Sequence, residues 1–127
     1  MKLEHIAINV PDPAGTARWL VESLGLRIVV HNTTSPFMHF VADESGTMIE
    51  LYNNPAAAMP DYANLNSFNL HFAFASADIE ADRARLIAAG ATMVAESTIT
   101  PAGDKLVFLR DPWNVPLQLV QRVKPLV

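Results

Sequence analysis

Two histidines, a glutamate and a glutamine are spaced in this chain so that a repeat relates them in pairs. Residues 40–51 and 108–119 align without a gap at an offset of 68, ending in Ile49-Glu50-Leu51 and Leu117-Gln118-Leu119. Shortened by two, the same offset superposes His5 on His71 and Asp12 on Asp78; shortened by three, it superposes Gly25 on Gly90. His5, Glu50, His71 and Gln118 are therefore two pairs of equivalent positions, and all four side chains can bind a metal through nitrogen or oxygen. Two imidazoles, one carboxylate and one amide oxygen make a mixed set with a single negative charge. Such a set suits Ni, Co, Fe, Mn or Zn rather than an all-oxygen calcium cage or a thiolate-preferring metal. In six-coordinate geometry two positions remain for a substrate chelating through adjacent oxygens, whose carbonyl the ion would polarise.

Composition narrows the alternatives. The chain has 127 residues, half of them apolar, enough for one domain with a core of its own. It has no cysteine, so disulfides, thiolate sites and a cysteine nucleophile are excluded. A formal charge of -4, with no Lys/Arg cluster, lacks the electrostatic footprint of a nucleic-acid binder, and the expected partner is a small molecule. No apolar run approaches the length of a membrane span, and the N-terminal residues lack a signal-peptide pattern, so a cytoplasmic protein is expected.

The elements that must position the four residues follow from periodicity. Residues 3–10 alternate, with Ile6, Ile8 and Val10 on one face and His5 on the other, as in a half-buried strand. After Pro11-Asp12-Pro13, the residues Ala17, Leu20, Val21 and Leu24 recur at helical spacing, and Gly25 supplies the stop. Strands are expected near 26–31, 37–42 and 47–52, making the first module, about 1–53, βαβββ. Residues of about 54–67 read as a linker rich in proline and asparagine. The second module, about 68–123, repeats the order: a strand at 68–75, a helix from about Asp78 to Ala89 with Ile79, Leu86 and Ile87 inward, and strands near 91–97, 104–110 and 115–121.

Strand parity then aims the candidates. His5, Glu50, His71 and Gln118 each alternate with apolar neighbours, so each projects from the face that the helices do not cover. If the two sheets curve toward each other, that face lines a cup. His31 and His39 read as surface or hydrogen-bonded residues, Arg18, Arg27 and Arg110 as surface charge, and Trp113 and Tyr52 as packing residues.

The opening Leu3-Glu4-His5-Ile6-Ala7-Ile8-Asn9-Val10-Pro11-Asp12, the Leu24-Gly25-Leu26 after the first helix, the strand with Glu50, Leu70-His71-Phe72, and Asp111-Pro112-Trp113-Asn114-Val115-Pro116-Leu117-Gln118-Leu119 resemble the vicinal oxygen chelate superfamily. That superfamily includes glyoxalase I, methylmalonyl-CoA epimerase, extradiol dioxygenases, fosfomycin-resistance transferases and metal-free bleomycin-binding proteins. The resemblance implies an α+β fold of two tandem βαβββ modules, forming a cup-shaped curved mixed sheet with helices outside, and often a homodimer. It places His5, Glu50, His71 and Gln118 on metal positions, most like glyoxalase I and the epimerase. Most metal-dependent relatives have glutamate where Gln118 stands, a residue that is ligand and, in glyoxalase I, base. An amide cannot be that base, so Glu50, at the symmetry-related position, is the catalytic candidate. The resemblance thus implies a divalent-metal-dependent lyase or isomerase, with a metal-free antibiotic- or toxin-binding protein, or an extradiol-type dioxygenase, as alternatives.

Overall fold

The computed structural model describes all residues from Met1 to Val127, in two compact units, Met1–Pro60 and Asp61–Val127. Each unit is a mixed sheet with one helix packed on it, so the chain is α+β and contains no closed barrel. No helix is long and apolar enough to cross a membrane.

In the first unit β1 (His5–Asn9) leads into α1 (Pro13–Leu24), followed by β2 (Arg27–His31), β3 (His39–Ala42) and β4 (Met48–Tyr52). The sheet order is β1-β4-β3-β2, with β1 parallel to β4 and the other pairs antiparallel. The helix begins where the Asp12 carboxylate accepts the Gly15 amide proton at 2.9 Å and Pro13 supplies a pre-set φ. It ends at Gly25, whose φ of 72° is left-handed. Ala17, Trp19 and Leu20 turn inward and meet Val41 and Leu51, both wholly buried, to form this unit's core. Ile6, expected on the covered face, is exposed, because α1 packs on β2, β3 and β4 rather than over the start of β1.

In the second unit β5 (Phe72–Ala75) leads into α2 (Ile79–Ala88), then β6 (Thr92–Met93), β7 (Thr98–Ile99), β8 (Lys105–Arg110) and β9 (Pro116–Gln121). The order is β5-β9-β8-β6, with β7 also on β8 and β5 parallel to β9. Asp78 caps α2 through the Ala81 amide at 3.1 Å. Ile79 and Leu86 are buried under it against Leu109, Leu117 and Leu119, whereas Ile87, expected inward, is exposed on this short helix. Gly90 follows at a φ of 99°, and a Cβ there would lie 3.3 Å from the Pro112 ring.

Two strands depart from the expected limits. The fifth was expected from residue 68 but starts at Phe72, because the Asn66 side chain accepts the Phe68 amide at 2.9 Å and its carbonyl the Asn69 amide at 2.9 Å, folding 66–69 into a turn. The sixth, expected to run unbroken over 91–97, is split. Thr92 and Met93 pair with Arg110 and Leu109 and the Val94 amide donates to the Phe108 carbonyl at 3.0 Å, while Thr98 and Ile99 pair with Leu106 and Lys105, so the three residues 95–97 bulge out. The first unit has a smaller bulge at the matching place: Val29 is the extra residue between the pairs Ile28↔Val41 and Val30↔Phe40.

The stretch expected as a linker is divided between the units. Buried Asn9 donates from Nδ2 to the carbonyls of Asn54 and Ala57, both at 3.2 Å, and accepts the Asn54 amide at 2.8 Å. Beyond Pro60, Tyr62 is buried, and Arg110 donates to the carbonyls of Tyr62, Leu65 and Asn114.

Candidate functional site

Each unit builds the same three-residue arrangement from its own strands, except that His71, expected within a strand, stands one residue before β5. In the first, the parallel register sets Ala7 against Glu50, so His5 lies diagonally from Glu50 on one face, with His5 Nε2 3.4 Å from Glu50 Oε2. The antiparallel register of β3 and β4 sets Phe40 opposite Glu50, and the His5 ring meets Phe40 edge-on at 5.2 Å and 89°. In the second, the register sets Ala73 against Gln118 and Phe108 opposite Gln118, and the His71 ring meets Phe108 edge-on at 5.2 Å and 87°. The two offsets seen in sequence thus describe one geometry: each histidine is braced by a phenylalanine and set diagonally from a carboxylate or an amide.

The halves differ in how the histidine is held. His71 Nδ1 lies 2.7 Å from the Ser67 carbonyl oxygen, which can only accept, so Nδ1 is the donor and the neutral ring carries its lone pair on Nε2. That is the arrangement a metal-ligating imidazole needs. His5 Nδ1 is buried without a hydrogen bond, 3.4 Å from Glu4 Oε2. Within each unit the candidate ligands come two at a time, and no group of three or more histidine and acidic side chains is arranged to hold an ion.

A cavity of about 560 Å³ opens in the second unit, lined by His71, Gln118, Phe108, Phe68, Ser67 and Glu96 among others. Glu96 reaches it because the bulge at 95–97 displaces that segment from the ladder. Arg110 also lines it, but its guanidinium is engaged with three backbone carbonyls, so this residue, read from sequence as surface charge, fastens the 62–65 segment.

Sequence reasoning set aside His31 and His39, and the structure places them together in the first unit. They are register partners across the β2–β3 hairpin, stacked at 5.8 Å, beside a cavity of about 550 Å³ also lined by Phe37, Asp12 and Asn53. His39 Nδ1 donates to the Phe37 carbonyl at 2.8 Å. Their spacing about the hairpin was the available signal. Trp113 is half-buried in the turn from Asp111 to Val115, where Asp111 Oδ1 accepts the amides of Trp113 and Val115, both at 2.8 Å. Burial pushes the Asp111 carboxyl up to about 6 against the lowering effect of those two bonds.

The sequence model of the Glyoxalase/Bleomycin resistance protein/Dioxygenase superfamily matches residues 2–119. Among solved structures, TnmS3, an antibiotic binding protein from Streptomyces sp. CB03234, superposes with a TM-score of 0.73 at 21% identity over 96% of each chain. A glyoxalase/bleomycin resistance protein/dioxygenase family enzyme from Burkholderia phytofirmans PsJN gives 0.76 at 14% identity, over 97% of this chain and 100% of that one. A glyoxalase family protein from Enterococcus faecalis gives 0.68 at 25% identity, over 94% and 97%. No functionally curated protein matches the sequence.

Proposed function

Since this chain belongs to the glyoxalase/bleomycin resistance protein/dioxygenase superfamily, we propose that it is a divalent-metal-dependent lyase or isomerase of the glyoxalase type, acting on a small oxygen-chelating substrate, with His5, Glu50, His71 and Gln118 as the metal ligands. The observation that carries this reading is the repeated register, which gives each half one imidazole diagonal to one oxygen donor and braced by a phenylalanine. The donor chemistry fits: His71 has Nε2 free because Nδ1–H is bound by the Ser67 carbonyl, and His5 Nε2 already lies on the Glu50 side. Each half offers two of the four proposed donors.

A bound ion would supply Lewis-acid polarisation of the substrate's chelating oxygens. The remaining work falls to side chains of this chain. Glu50 is the only carboxylate of the four and would move the proton next to the carbonyl; Gln118 orients through its amide and takes no proton. Phe40 and Phe108 meet the imidazoles edge-on and fix their orientation.

A second reading, a metal-free small-molecule binder, is favoured by the aromatic and apolar cavity around Phe68, Phe108, Leu106 and Val94 and by the likeness to an antibiotic binding protein. Metal analysis separates the two. Protein purified without chelator is assayed for metal and titrated with Ni²⁺, Co²⁺ and Zn²⁺, alongside His71→Ala. The metal reading expects near-stoichiometric uptake by the wild type and its loss in the variant. Content below about a tenth of an equivalent, with no uptake on titration, overturns it in favour of the binder.

A further inference from the structure

The metal reading gives no role to the hydroxyl of Ser67. Its Oγ is buried without a hydrogen-bond partner, in a residue 7% exposed, and Ser67 lines the cavity with His71 and Gln118. A hydroxyl taken out of water and left unpaired is a net cost, and because Ser67 lines the cavity, a turn about its single χ1 bond that brings Oγ–H to a ligand oxygen would remove that cost. Two further features describe that ligand. Phe68 is 83% exposed yet fixed on the Asn66 turn, and it meets Phe108 at 5.6 Å and 66°, so an aromatic face stands ready at the cavity wall. The charged side chains lining the cavity are Arg110, spent on the carbonyls of Tyr62, Leu65 and Asn114, and Glu96, whose charge disfavours an anion.

We propose that this cavity binds an uncharged aromatic molecule carrying a carbonyl oxygen, its ring against Phe68 and its oxygen accepting from Ser67 Oγ–H. The proposal rests on the reading that the cavity beside His71 is where the substrate binds, and it requires no metal for recognition. Ser67 thereby has two functions in one residue: its backbone carbonyl sets the His71 tautomer, and its hydroxyl selects the ligand.

The test uses acetophenone as probe and benzoate as its anionic counterpart, followed by NMR chemical-shift titration of the full chain in EDTA. Acetophenone is expected to bind the wild type and shift the amides around Ser67, Phe68 and Phe108, with benzoate at least about tenfold weaker. Ser67→Ala keeps the backbone carbonyl and should weaken acetophenone about fivefold, the loss of one hydrogen bond. Phe68→Ala, at an exposed position that tolerates truncation, should weaken it by a similar factor. The proposal is overturned if acetophenone fails to bind the wild type, if benzoate binds as well, or if neither variant weakens binding. Ni²⁺ uptake measured on the same samples keeps the readings apart. Intact uptake without acetophenone binding defeats this inference alone, and acetophenone binding without uptake supports it while defeating the metal assignment.

Discussion

Replacing Asp111 by asparagine should change how stability depends on pH, by an amount that follows from its surroundings. The carboxylate is 3% exposed, and a single oxygen, Oδ1, takes both the Trp113 and the Val115 amide. Desolvation outweighs those bonds and lifts the carboxyl from an ordinary 3.8 to about 6. Between these values the folded chain holds a proton that the unfolded chain has released, so stability falls as pH rises through the window. Below about pH 4 both states are protonated and there is no penalty; above about pH 6 both are ionised and it is complete. At 1.36 kcal/mol per pKa unit the full penalty is about 3 kcal/mol. Asp111→Asn keeps an Oδ1 acceptor for both amides and removes the titration. Whatever its –NH₂ costs in place of Oδ2 is independent of pH and cancels from the slope. Urea unfolding of both proteins from about pH 4 to about pH 7 should show the variant gaining about 3 kcal/mol relative to the wild type across that range. A flat difference would refute the claim that burial, rather than the two amides, controls this carboxyl.

Three further outcomes are expected. Glu50→Gln should weaken Ni²⁺ binding at least about tenfold by removing the one negative charge of the proposed ligand set, and Gln118→Glu should strengthen it, as read by competition with a chelator. Asn9→Ala removes three hydrogen bonds from a buried side chain and should cost about 3 kcal/mol in chemical denaturation, with exchange protection lost first at Asn54. Gly90→Ala places a Cβ at a φ of 99° and 3.3 Å from Pro112 Cγ, which should cost about 1–3 kcal/mol and lower the melting temperature.

The repeat was legible because sheet register is a matter of counting. Once His5 and His71, Glu50 and Gln118 were matched at fixed offsets, parity alone put each pair on one face, and the registers Ala7↔Glu50 and Ala73↔Gln118 agree. Phe40 and Phe108 lay inside the aligned segments, but their contact with the histidines needs two strand pairings at once. The start of β5 was misread because Phe68, Leu70, Phe72 and Phe74 alternate like a strand, while the competing side-chain bond from Asn66 leaves no period. Residues 91–99 carry no glycine or proline to mark the break at 95–97, which arises from where β8 pairs rather than from local propensity. Arg110 reads as surface charge in sequence because its acceptors are backbone carbonyls up to 48 positions away, which no motif records.

The bulge at 95–97 separates two demands that a regular strand would couple. Because Thr92–Val94 and Thr98–Ile99 anchor to β8 on either side, the three residues between them can vary in size or charge without sliding the ladder that carries Phe108 and, through β9, Gln118. A lineage exchanging Ala95 or Glu96 would thereby retune which molecule the cavity admits while the histidine and its oxygen partner stayed where they were. Directed evolution of ligand choice in this chain has its natural library in that segment.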